Sequence, residues 1–419
     1  MIFIYKKVRS FGGKLCNRYY YLGLIRKNIF QFSAYISNIK NHNLNLAVIR
    51  ELKAIIALAK KNNQPIFIQF PIISWSRSLF QRPQQFAKAM SELGYLTIYL
   101  SPAISPKYSL QQISDNLYVS NACEILKDLE GTVISVYLNY PDSYHLDRYL
   151  TQPLFKNNKV FCEHVDHIDE QIHGKLFAKT ISQRYKEIKK QDYVLLLGTS
   201  RALCEELIKD YPEKNILYLP NGVDLSHFSR NNAPDKSIAL PKEIQEALQQ
   251  KRKIIGFFGA IAPWIWDELL VELAEKRPEF FILMIGSESG DRPPFPHRHN
   301  ICLTGAINYQ DLPFYAKHFD VSIIPFRLGE LAKATSPVKL FEYFAIGKPI
   351  VVTLDLIECT KFDGVFAASN PTEFIEKVDE AIKYRDNLEL QQKYRSYAES
   401  NSWEVRARDL DNFINNKQE

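Results

Sequence analysis

The stretch Ser336–Val351, SPVKLFEYFAIGKPIV, follows the apolar run Asp320–Phe326, DVSIIPF. Together they read as strand, polar loop, helix and second strand. Ser336 is expected to cap the helix, Pro337 to take its first position, and Gly347 with Pro349 to end it after about ten residues. Phe341, Phe344 and Ala345 fall on one side and are expected to face the core. Lys339 and Glu342, three apart, share another face near the helix start. A lysine there opposes the positive end of the helix dipole, costing about 0.3–1 kcal/mol unless an anion shares the site. Arg327 and Lys333 in the preceding loop add two more positive charges. Three cations beside free helix amides read either as a diphosphate cradle or as a solvated basic loop.

Outward from this stretch, short apolar runs alternate with helical ones from Pro65 onward, as in α/β domains with parallel sheets. The first series is 65–70, 95–100, 132–138, 159–163, 193–198 and 216–219. The second is 253–259, 279–286, 300–305, 320–326, 348–353 and 364–368. Two such units predict two Rossmann-like domains facing across a cleft. The expected divisions are an extension at 1–63, a first domain at 64–230, a linker at 231–252, a second domain at 253–400 and a terminal helix at 401–419. In open parallel sheets ligands bind beyond the carboxyl ends of the strands, which brings Gly259, Ala260, Gly286, Thr304, Gly305 and Ala306 to the cleft.

A chain of 419 residues suits two or three domains. Six scattered cysteines without paired spacing read as reduced thiols of a cytosolic protein. The N-terminus, MIFIYKKVRS, lacks a signal-peptide pattern, and no run is long enough to span a bilayer. The net charge of +6 hides an asymmetry: residues 1–63 hold twelve Lys and Arg against Glu51 alone, and so carry +11 against −5 for the rest. With Tyr19, Tyr20, Tyr21, Phe30 and Phe32, that extension reads as a contact with an anionic membrane surface. The competing reading is a solvated segment, part of it a helix (46–61) packed on the first domain. Nucleic acid is not an expected partner, since no recognition module accompanies the charge.

The run Asp320–Val351 resembles the donor-binding segment of nucleotide-sugar glycosyltransferases of the GT-B kind, closest to family 4 (group 1) and to the enzymes of teichuronic acid and related polysaccharide synthesis. LPNGVD (Leu219–Asp224), GFFGAIAPWIWDELL (Gly256–Leu270) and SWEVR (Ser402–Arg406) are similar in type and order. The resemblance implies an α/β fold of GT-B architecture and sugar transfer from a nucleotide diphosphate sugar to a polysaccharide, glycolipid or lipid-linked acceptor. It implies no cofactor and no metal; the cysteine usage and the basic extension read as a cytoplasmic protein peripheral on the inner face of the cell membrane. On the donor side it implicates Thr335, Ser336, Lys339 and Glu342, with Glu342 accepting from the ribose hydroxyls and the backbone at Thr304–Ala306 meeting the base. Trp403 is expected to anchor the chain's end on the first domain.

Two departures stand out. The family's paired glutamates lie eight apart, and eight before Glu342 is Ala334; Glu330 is the nearest loop acid. The Arg and Lys that commonly follow the second domain's first strand are also missing, leaving Arg327, Lys333 and Lys339 to hold the diphosphate. In the first domain, SWSRSLFQRPQQF offers Trp75, Arg77 and Arg82 on the acceptor side, with a surface arginine as the alternative for Arg82. His164 and Asp166, in HVDHIDE, are the candidate catalytic groups. A retaining enzyme would leave the acceptor's proton to the departing phosphate, whereas an inverting one needs a base such as Asp166 or His164. A nucleotide-sugar epimerase of the same architecture and a non-catalytic partner- or membrane-binding subunit are the rival readings.

Overall fold

A computed structural model describes residues 43–70, 73–77, 80–102, 107–137, 156–165, 179, 182–183, 186–228, 239–289 and 292–415. The first sheet contains β1 (Ile66–Gln69), β2 (Leu96–Leu100), β3 (Leu110–Ser114), β4 (Leu117–Ser120), β5 (Val133–Tyr137), β6 (Lys159–His164), β7 (Val194–Gly198) and β8 (Ile216–Tyr218). Its order is β3-β4-β2-β1-β5-β6-β7-β8, parallel except for the β3–β4 pair. The second sheet contains β9 (Lys253–Phe258), β10 (Phe280–Ile285), β11 (Ile301–Leu303), β12 (Val321–Ile324), β13 (Ile350–Thr353) and β14 (Phe366–Ala368), in the order β11-β10-β9-β12-β13-β14.

Each apolar run of the sequence forms a strand. β1, β2, β5, β10, β12 and β13 are buried at every position, as expected when helices cover both faces of a parallel sheet. The edge hairpin β3–β4 escaped the sequence reading because β3, LQQIS, has no fully buried residue and carries no apolar run.

Both sheets reverse their strand order at the first strand, between β1 and β5 and between β9 and β12. Such switch points open a crevice beyond the strands' carboxyl ends. The helix Trp403–Asn415 packs on the helix Arg82–Glu92 of the first domain. Trp403, Ala407, Leu410 and Ile414 share a core with Phe67, Phe86, Met90 and Phe161. Asp411 of this helix accepts from the Tyr95 hydroxyl at 2.5 Å. The helix at 43–61 lays Leu52, Ile56 and Ala59 against the first core and leaves Leu44 and Leu58 exposed. Among the described residues no helix is long and apolar enough to cross a membrane.

Candidate functional site

The second domain's switch point is occupied by Lys339. The helix Val338–Ile346 turns this side chain toward the ends of β9 and β12, where Nζ lies 5.1 Å from the Phe257 ring centroid and 5.0 Å from that of Phe326. The loop glycines make room for it. A Cβ on Gly259 (φ 133°) would come within 2.9 Å of the lysine's Cε, and one on Gly286 (φ 152°) within 1.9 Å of the Gly259 carbonyl. Gly286 in turn bridges to Gly305. Three strand ends are thereby drawn together as backbone.

Glu342, one turn along the helix, is 5% exposed. Among the described residues neither Glu342 nor Lys339 has an ion-pair or hydrogen-bond partner for its side chain. Burial pushes the Glu342 carboxyl up to about 8, against the opposing pull of Lys339. Burial likewise pushes Lys339 down to about 8, against the pull of Glu342. A buried acid beside a partly buried amine, neither of them paired, is costly to keep charged, so a ligand that hydrogen-bonds one and neutralises the other is favoured here.

The other two loop cations are engaged elsewhere. Arg327 pairs with Glu268 at 2.7 Å, and Lys333 pairs with Glu330 at 2.8 Å within its own short helix. Of the expected three-cation cradle, Lys339 alone is unpaired. Ser336 is also not the helix cap. Pro337 takes that position with extended backbone, and Ser336, one residue earlier, is held by its carbonyl, which accepts from Asn221 Nδ2. The Ser336 hydroxyl is buried without a partner. The hydroxyls of Thr335 and Thr304 bond the carbonyls of Leu331 and Gly305 at 2.6 and 2.9 Å. Ala260 is partly exposed and Ala306 exposed beside these turns.

Arg82 is neither on the surface nor open to an acceptor. It is 3% exposed, donates from Nε to Glu163 at 2.7 Å and from Nη1 to Pro220 O and Asn221 Oδ1, both at 3.2 Å. Its guanidinium lies over Phe86 and Trp403. From its helix start Arg82 faces Glu163 and the Pro220–Asn221 segment instead of an acceptor. Trp75 packs edge-on against Phe80 and Tyr99, while Arg77 is exposed. His164, buried at the end of β6, has its Nε2 3.3 Å from Glu206. Asp166 lies outside the described residues.

Residues to which the sequence assigned no role complete the cleft. Tyr309, beyond the Gly305 turn, accepts from Gln85 of the first domain at 2.6 Å and stacks on His227 at 4.2 Å. Its phenol is raised well above the ordinary range by burial, then by the charge of Glu342. Asn221 joins Arg82 to Ser336, and Glu358 bonds across to Arg201 and Tyr218. The motif LPNGVD was visible in the sequence, but its partners were not.

A cavity of about 650 Å³ lies on the outer side of the helix Asp267–Lys276, lined in part by Pro263, Arg292, Pro294 and Arg327. Its arginines are paired with Asp267, Glu275 and Glu268, and neither Lys339 nor Glu342 reaches it.

Residues 252–383 match the family model described as Glycosyl transferases group 1. TuaH of Bacillus subtilis (strain 168), a protein named for teichuronic acid biosynthesis, is 27% identical over 198 residues. That match covers 44% of this chain and 46% of TuaH, so less than half of the relative's length is represented. Among solved structures, sucrose-phosphate synthase from Thermosynechococcus elongatus superposes with a TM-score of 0.65 at 12% identity, over 84% of this chain and 99% of that one. Anabaena HepE in complex with UDP and glucose gives 0.56 at 11%, over 84% and 99%. WaaG, a glycosyltransferase of lipopolysaccharide biosynthesis, gives 0.54 at 12%, over 83% and 99%. Residues 252–383 thus carry a match to group 1 glycosyl transferases, within a two-domain chain of the GT-B fold.

Proposed function

We propose that the protein is a glycosyltransferase that moves a sugar from a nucleotide diphosphate sugar to a polysaccharide, glycolipid or lipid-linked acceptor. The observation that carries this reading is the unpaired Lys339–Glu342 couple beside the glycine turns after β9, β10 and β11. In this reading Glu342 accepts from the ribose hydroxyls, and the turn Thr304–Ala306 offers backbone to the base. Lys339 and the amides at the start of its helix hold the diphosphate. Cleaving the sugar–phosphate bond places negative charge on the departing diphosphate, and fixed positive groups there lower the barrier without a metal.

In this reading transfer proceeds with retention, the departing phosphate taking the acceptor's proton. His164, paired with Glu206, contacts the donor sugar or acceptor on the opposite side, with Asp166 two residues on. The basic extension at 1–63 holds the protein on the inner face of an anionic membrane, which suits a lipid-linked acceptor. HepE's complex with UDP and glucose supports a uridine donor as the first to try.

Thermal unfolding of the purified protein against UDP, GDP, ADP, CMP and dTDP tests the donor site. One diphosphate should raise the midpoint, and Glu342→Ala should abolish the rise. The matching nucleotide sugar should then lose its sugar to a lipid-linked glycan acceptor, with the anomeric configuration of the product read by NMR. No response of the wild type to any of the five would refute the reading.

A further inference from the structure

The helix Arg201–Asp210 of the first domain has a divided N-terminus. Ser200 caps it from within by accepting from Leu203 N at 3.2 Å. The Arg201 amide, also unpaired within the helix, donates to Glu358 Oε1 at 2.7 Å, a side chain of the other domain. Glu358 is 2% exposed. Its second oxygen accepts from Tyr218 OH at 2.6 Å and from Lys361 Nζ at 2.5 Å, and Lys361 also reaches the Tyr218 oxygen at 2.6 Å. An acid from one domain thus meets the positive end of a helix in the other, an arrangement favoured by the helix dipole and by charge-assisted hydrogen bonds.

The same helix carries Glu206, the partner of His164 at 3.3 Å. It is also packed on by the short helix Glu330–Ala334, which leads into the segment of Lys339 and Glu342. The helix is thus held at its start by the second domain while Glu206, further along it, faces His164.

We propose that Glu358 is a positioning residue. Acting through the helix Arg201–Asp210, it couples domain closure to the placement of His164. The inference rests on the transferase reading for its catalytic consequence, but not for the clasp itself. Tyr309 and Asn221 also bridge the domains, but through Gln85 and Arg82 rather than through the helix that carries Glu206.

The clasp is tested without substrate by amide hydrogen exchange in Glu358→Ala, Glu358→Gln and Tyr218→Phe, alongside small-angle scattering. Exchange at Arg201–Leu203 should quicken about tenfold or more in Glu358→Ala, with a larger radius of gyration. Glu358→Gln, which keeps an acceptor for the Arg201 amide, should recover part of the protection. With a transferable donor in hand, Glu358→Ala should lower kcat about tenfold while the donor KM stays within twofold, and Glu358→Gln should restore part of kcat. Unchanged exchange and scattering in a folded Glu358→Ala would overturn the clasp. A large rise in donor KM at constant kcat would overturn the coupling to His164. Should Glu358→Ala fail to fold, Glu358→Gln and Tyr218→Phe carry the same comparison with smaller shifts. If the wild type binds no nucleotide, the transferase reading fails while exchange and scattering still decide the clasp.

Discussion

Two acid–base couples sit on either side of the cleft, one buried throughout and one with only its acid fully buried, and they differ in their contacts. Arg82 and Glu163 in the first domain are in contact, and the arginine is further bonded to Pro220 and Asn221. Lys339 and Glu342 in the second are close enough to feel each other but make no ion pair. A couple in direct ionic contact holds structure together, even with Arg82 Nη2 left without a partner, whereas one that makes no ion pair keeps its electrostatic demand for something else. The first couple is part of the scaffold, and the second has the character of a binding site.

The comparison breaks first if Glu163→Ala is tolerated. Stranding the Arg82 charge should cost about 3–5 kcal/mol, read by chemical denaturation, with the Glu163→Met, Arg82→Met double variant milder than either single change. Glu342→Gln should behave oppositely. It should leave the unliganded protein as stable or more stable, yet remove the stabilisation of about 2.7 kcal/mol that a nucleoside diphosphate gives at a hundred times its Kd.

The pH dependence sharpens the contrast. The folded Glu342 carboxyl titrates near 8 against an ordinary 4.5, so the native state holds that proton more tightly than the unfolded chain. Its contribution to stability is full below about 4.5 and is lost as the pH rises toward 8. Lys339 titrates near 8 against an ordinary 10.5, so its penalty is full below 8 and relieved as the pH rises toward 10.5. Stability curves of the wild type minus Glu342→Gln should therefore fall between about 4.5 and 8, and those of the wild type minus Lys339→Met should rise between about 8 and 10.5. The smallest effect is expected at the exposed pairs. Arg327→Ala and Lys333→Ala should change nucleotide affinity less than about twofold, measured by titration calorimetry, because both cations are already engaged on the surface.

Much of the fold was legible because its signals are local. The twelve apolar runs that form the parallel strands announce themselves by composition and length. The edge hairpin did not, since β3 has a polar surface and no run to notice. The site was legible in its residue types at Lys339 and Glu342, but less so in its charge balance. Arg327 and Lys333 look like members of a cradle in one dimension, while Glu268 lies some sixty residues from Arg327 and gives no sign of claiming it. Ser336 was misread for a related reason. Serine followed by proline fits a cap, yet Asn221, far away in the chain, holds its carbonyl and the helix opens one residue later.

By itself the sequence determined two parallel α/β units, the helix that carries Lys339 and Glu342, and the glycines that let three strand ends converge. Periodicity, caps and glycine turns act over a few residues, so a single chain displays them directly. Tertiary structure alone decided which charges are satisfied. Arg82 became a buried partner of Glu163, Glu358 came to cap a helix of the other domain, and Lys339 was left beside Glu342 without a contact. Electrostatic demand depends on burial and on neighbours across the fold, and neither is written in the order of the residues.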